Sequence, residues 1–113
     1  MKYVFRLLSL TTLFLVNSCA SMLLQPSQED AVWAQQQFDD ISLQDLHNGR
    51  SLYVKSCAGC HHLHAPHEFS AEAWPEIILR MASDEDVNIP EHEQKLIAAY
   101  LAAISHRLEK IQN

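Results

Sequence analysis

Residues 57 to 61 read Cys57-Ala58-Gly59-Cys60-His61, and no other stretch constrains the chain as strongly. Two thiols separated by two residues and followed at once by an imidazole form the spacing at which haem is covalently attached. Each sulfur adds to one vinyl group, and the histidine falls beneath the iron as an axial ligand. A chain built this way has to fold around a flat apolar ring. Cys57 and Cys60 are thus the candidate attachment points of one covalent haem c, and His61 is its candidate iron ligand. Two other chemistries use a Cys-x-x-Cys pair. Structural zinc takes four ligands, as a rule two spaced pairs. Here only Cys19 is left over, and His61, His62, His64 and His67 crowd against the motif without a spacer. A dithiol redox pair is set in a βαβ surround, whereas both flanks of this motif carry helical patterns.

The N-terminus has Lys2 and Arg6 ahead of an apolar run from Leu7 to Val16. This is the n-region and h-region of a secretory leader, and it is too short for a spanning helix. Val16-Asn17-Ser18-Cys19 is similar to a bacterial lipobox, with Asn17 an unusual occupant of its place. The resemblance implies that Cys19 is lipidated, and several acyl chains on one cysteine anchor stably. A leader cleaved elsewhere, or an uncleaved anchor extending to Leu24, are the alternatives. The expected organisation is a leader over 1–18, a lipid-anchored tether over 19–28 and one domain over 29–113. Ala20 follows the cysteine, where an aspartate would mark inner-membrane retention, so the outer membrane is favoured and the domain is expected on the periplasmic side.

Without Lys2 and Arg6, 6 basic side chains of the original 8 face 14 acidic ones, a formal charge of −8. That disfavours nucleic acid and anionic lipid surfaces as partners. It suits a redox partner with a basic docking patch, or serves solubility alone. A domain of this size has a small core, which a covalently held ring would enlarge.

Along the chain, 29 to 38 predicts a short helix with Ala31, Trp33, Ala34 and Phe38 as its apolar positions. Ser42, with Asp45 three residues on, predicts a variant capping box. The helix it opens runs to about Ser56, with Leu46, Gly49, Leu52, Tyr53 and Ser56 on one face. A glycine inside a helix costs about 1 kcal/mol against alanine, so Gly49 predicts a close backbone approach. A loop with Pro66 follows the motif. Residues 70 to 82 predict a helix with Trp74, Ile77, Ile78 and Met81 on one face; Ser70 is its candidate cap, and Pro75 leaves its start between two positions. After an acidic loop, Pro90 opens a last helix whose stripe is Leu96, Ile97, Tyr100, Leu101 and Ile104. No strand-like alternation occurs, so the fold class is all-α.

In this order, Gly49 and Tyr53, the Cys-x-x-Cys-His motif, Pro66, Met81 and Tyr100-Leu101 on the last helix resemble class I c-type cytochromes over residues 43–106. The run from Pro66 through Trp74 to Met81 looks like small bacterial monohaem domains with W-x6-M. The departure is the short distance from His61 to Met81. The resemblance implies a small cytochrome c-like helical domain wrapped around one covalent haem. Its first and last helices would cross at Gly49 and Tyr53 against Leu96, Tyr100 and Leu101. The Pro66 carbonyl would accept a hydrogen bond from His61.

The resemblance makes Met81 the sixth ligand; the alternatives are Met81 as core filler and displacement by His64, His67 or His92. Trp74 is expected near the haem, either with its indole N–H on a propionate or as a plain core aromatic. Arg80 is a solvated position or a second propionate partner. The function implied is that of a membrane-anchored one-electron carrier and not an enzyme. The alternatives are a haem-based sensor or haem subunit of a redox enzyme with a labile sixth ligand, and a non-haem lipoprotein that uses its thiols for metal or thiol delivery.

Overall fold

A computed structural model describes residues 23–57, 63–84 and 87–113. Among these the chain is all-α, with no strand. Helix α1 spans Gln28–Gln37, α2 Leu43–Cys57, α3 Trp74–Ser83 and α4 Glu91–Gln112, with a 3-10 turn at Pro66–Glu68 between α2 and α3.

Side-chain capping starts the first two helices. The Ser42 hydroxyl accepts from the Asp45 amide at 3.1 Å, and the Asp45 carboxylate accepts from the Ser42 amide at 2.8 Å, closing the box the sequence predicts. Ser27 and Asp30 repeat the pattern. The same Ser-x-x-Asp spacing therefore opens α1 one residue before the helix expected from 29. Ser70 caps a turn rather than the helix itself: its hydroxyl accepts from the Ala73 amide at 3.3 Å, and α3 begins at Trp74 with Pro75 in its first turn. Proline is tolerated there because the first amides of a helix have no partner within it.

Helix α4 is the spine. Helices α1, α2 and α3 and the 3-10 turn all pack against it. Its whole middle, Ile97 to Ser105, is consequently buried. The sequence stripe of large residues identifies only part of that surface; Ala98, Ala99, Ala102 and Ala103 complete it, their small size admitting neighbours on the other faces. The main core gathers Tyr53, Trp74, Ile77, Ile78, Ile97, Tyr100, Leu101 and Ile104. A second cluster, formed by Ala31, Ala34, Ile41, Leu46, Ala99 and Ala103, fixes α1 to the domain.

The chain before α1 is also held down. The carbonyls of Leu23, Leu24 and Gln25 accept, in order, from Arg50 Nε at 2.9 Å, the Tyr100 hydroxyl at 2.7 Å and an Arg107 guanidinium nitrogen at 2.8 Å. Pro26 is buried behind them. Of the stretch expected as a tether over 19–28, the part from Leu23 onward lies against the helices. Among the described residues no helix is long and apolar enough to cross a membrane.

Candidate haem site

Cys57 is the last residue of α2 and is half-buried against the main core. Cys60 and His61 lie outside the described residues, as does Cys19. Helices α2 and α3 both lie on α4, yet no Cα of one comes within 8 Å of a Cα of the other. The rings of Tyr53 and Trp74 meet edge to face between them, with centroids 6.4 Å apart. Phe69 stands edge-on to Trp74 at 5.1 Å.

Met81 sits near the end of α3, half-buried against the same core cluster as Cys57. Leu52, Leu63, Ala82 and Val87 also pack part-exposed on that cluster. Apolar side chains from both separated helices are therefore left incompletely covered, with a thiol and a thioether among them. In chemistry these side chains suit a largely apolar group with soft ligands and not a hard cation, which takes oxygen ligands. The residues present fit a haem.

The loop after the motif is fixed by one donor from each of three helices. The Tyr53 hydroxyl of α2 donates to the His64 carbonyl at 2.8 Å. Trp74 Nε1 of α3 donates to the Pro66 carbonyl at 2.9 Å. The Ser105 hydroxyl of α4 donates to the Phe69 carbonyl at 2.7 Å. Burial lifts the Tyr53 phenol well above its ordinary range, so it stays protonated and donating. The Glu68 carboxylate pairs with His64 Nδ1 at 2.7 Å and accepts from the Ala65 amide at 3.1 Å. The sequence marked Tyr53 and Trp74 as core residues, but nothing local to them names their acceptors. Ser105 and Glu68 were missed: a serine on the apolar face of a long helix was the one available signal.

Of the two readings of Trp74, a propionate contact or a plain core aromatic, this geometry favours the core aromatic. Trp74 is fully buried, and a buried N–H has to find an acceptor inside the protein. Pro66 supplies it. A carbonyl oxygen has two lone pairs, so this bond leaves one acceptor site for the expected His61 contact. Of the alternative sixth ligands, His64 is tied to Glu68, while His67 in the 3-10 turn and His92 in the first turn of α4 are exposed. Arg80 is exposed on α3.

Residues 53–113 match the family described as dihaem cytochrome c. The chain belongs to that family. No curated protein and no solved structure matched it. The cytochrome assignment covers the whole candidate site, from Tyr53 through the Cys-x-x-Cys-His motif, Pro66, Trp74 and Met81 to α4, and leaves α1 and most of α2 outside the match. It supports covalent haem c over zinc or dithiol chemistry at the motif. The family description counts two haems, whereas this dihaem-family cytochrome carries a single Cys-x-x-Cys-His and one further cysteine, Cys19.

Proposed function

We propose that this cytochrome is a lipid-anchored, periplasmic one-electron carrier holding one haem c, attached through Cys57 and Cys60 and ligated by His61 and Met81. The observation that carries the reading is the cytochrome c family match over the single Cys-x-x-Cys-His motif, and the position of Met81 is compatible with it. The helix of Met81 stands apart from the helix that ends at Cys57, and both residues remain half-buried against one core cluster. A haem bound there supplies a one-electron Fe(II)/Fe(III) couple, and His/Met ligation both raises its potential and closes the sixth position.

The protein's own contribution is rigidity and exclusion of water. Tyr53, Trp74 and Ser105 hold the loop beyond the motif at three backbone oxygens. Ile77, Ile78 and Leu101 keep its surroundings apolar. One cysteine pair attaches one haem, so the single motif supports a count of one in this chain. The formal charge of −8 beyond the leader favours a redox partner with a basic patch, which raises association rates more than affinity. Anchoring through Cys19 keeps the domain near such partners and makes weak docking sufficient.

Absorption spectra of the matured protein test this reading, recorded oxidised, reduced, and reduced under carbon monoxide, together with the haem-to-protein ratio. A ratio of one, a methionine–iron charge-transfer band and no shift with carbon monoxide support it. A carbon monoxide shift or high-spin bands move the reading to a sensor or enzyme subunit with a labile sixth ligand. Absence of haem removes both.

A further inference from the structure

The three consecutive carbonyls of Leu23, Leu24 and Gln25 are each gripped by a side chain of α2 or α4. Gln25 leads through buried Pro26 into the capping box of α1. The chain is thus part of the domain from Leu23 on. With the proposed lipid anchor at Cys19, on which this inference rests, the span between anchor and domain is short. Four Cα steps separate Cys19 from Leu23, a reach of at most about 14 Å. A free tether to residue 28 would reach about 30 Å. An anchor at Cys19 accordingly holds the gripped edge of the domain at the lipid surface.

A groove of about 780 Å³ opens from that edge, between α1 and the end of α4. Arg107, which grips Gln25, forms part of its wall, as do Gln28, Trp33 and His106. Its rim carries two of the most exposed large apolar side chains among the described residues, Val32 at 51 % and Ile111 at 74 %. Lys110 stands beside them. Its long stem can lie along apolar surface while the ammonium stays among headgroups. The groove wall is made rigid by the Trp33–His106 stack, with centroids 4.5 Å apart and planes 13° from parallel, and by the Asp30–Arg107 pair at 2.8 Å. The face lies mostly outside the stretch that matches the family, since α1 precedes it.

We propose that the α1–α4 face is a lipid-contact surface. Val32 and Ile111 enter the headgroup region of the membrane that holds Cys19, and the short span and this contact together fix the orientation of the cytochrome on the bilayer. Two side chains alone bind a membrane weakly, but the anchor makes the contact intramolecular in effect, so little affinity is needed. Because the domain is acidic overall, the contact is apolar and suits neutral headgroups.

The test uses the matured, lipidated chain on vesicles of phosphatidylethanolamine and phosphatidylcholine, with amide hydrogen exchange as the readout. Wild-type protein is compared with the double variant Val32→Asp, Ile111→Asp on the same vesicles; both positions are exposed enough to leave the fold intact. A second variant carries a flexible Gly-Ser insertion between Met22 and Leu23. The expected result is several-fold slower exchange over 30–36 and 106–112 in the wild type than in either variant, with all three remaining on the vesicles. Equal exchange in vesicle-bound wild type and double variant overturns the contact surface and leaves the anchor standing. A protein whose mass shows no acyl groups on Cys19 and which stays off the vesicles overturns the anchor reading, and the lipid-contact surface with it.

Discussion

Gly49 of α2 lies against the Leu96 carbonyl of α4. A Cβ at position 49 would overlap the Leu96 oxygen and stand 2.7 Å from its carbonyl carbon and 3.0 Å from the Tyr100 Cβ. The two longest described helices touch here backbone to backbone, and the rest of the site hangs from that crossing, because α2 ends at Cys57.

Gly49→Ala is therefore expected to destabilise the protein. Alanine gains about 1 kcal/mol of helix propensity. Overpacking a tight contact costs about 1–3 kcal/mol and more where nothing can yield, and a backbone carbonyl in a helix packed on every side yields least. The net loss should be about 2 kcal/mol, or about 10 °C in melting temperature for a domain of this size. An unchanged thermal midpoint by circular dichroism would contradict the crossing.

Trp74→Phe keeps a ring in the core but removes the donor to Pro66. The bond is buried, so losing it should cost about 1 kcal/mol, the net worth of one hydrogen bond. Denaturant unfolding of the haem-loaded protein measures this. A variant as stable as wild type would mean that the indole N–H does not hold the loop.

The tyrosines make stability depend on alkaline pH. Burial pushes the Tyr100 phenol up from 10.0 to about 12, and it donates to the Leu24 carbonyl. A group that is harder to ionise in the folded state than in the unfolded one favours folding while it stays protonated. Its contribution is complete below about pH 10 and disappears as the pH rises toward 12. Denaturant midpoints between about pH 8 and 12 should fall along this limb. Tyr100→Phe should lose about 1 kcal/mol at neutral pH and show a shallower alkaline fall; an unchanged slope would refute the assignment.

Much of this arrangement was legible in the chain, for reasons that differ by residue. Ser42 and Asp45 are read locally, because a capping box is closed within four residues. Gly49 is read by its cost, since a helix carries an interior glycine only where something compensates. The motif at Cys57 is read because covalent attachment fixes its spacing. Other features depend on partners distant in sequence. The Tyr100 hydroxyl reaches Leu24 across 76 residues and Ser105 reaches Phe69 across 36, and no periodicity encodes those pairs. The alanines of α4 were passed over because a small residue signals burial only once a neighbour is known to approach. Trp74 shows the limit of analogy: its burial was expected, but the acceptor for its N–H was set by the loop of this chain.

Met81→Ala gives the most direct test of the proposed ligand set. If the thioether closes the sixth position, the ferrous wild type should leave carbon monoxide unbound. The variant should bind it, with loss of the methionine–iron charge-transfer band. Because Met81 is only half-buried, the variant should still fold, at a cost at the low end of the roughly 2–5 kcal/mol typical of a buried methionine. The histidines supply the control. His64 is held by Glu68, and His67 and His92 are exposed, so replacing each by alanine should leave the band in place and carbon monoxide excluded. A wild type that binds carbon monoxide readily, or a histidine variant that opens the site while Met81→Ala does not, would remove Met81 from the iron and favour the sensor or enzyme-subunit reading.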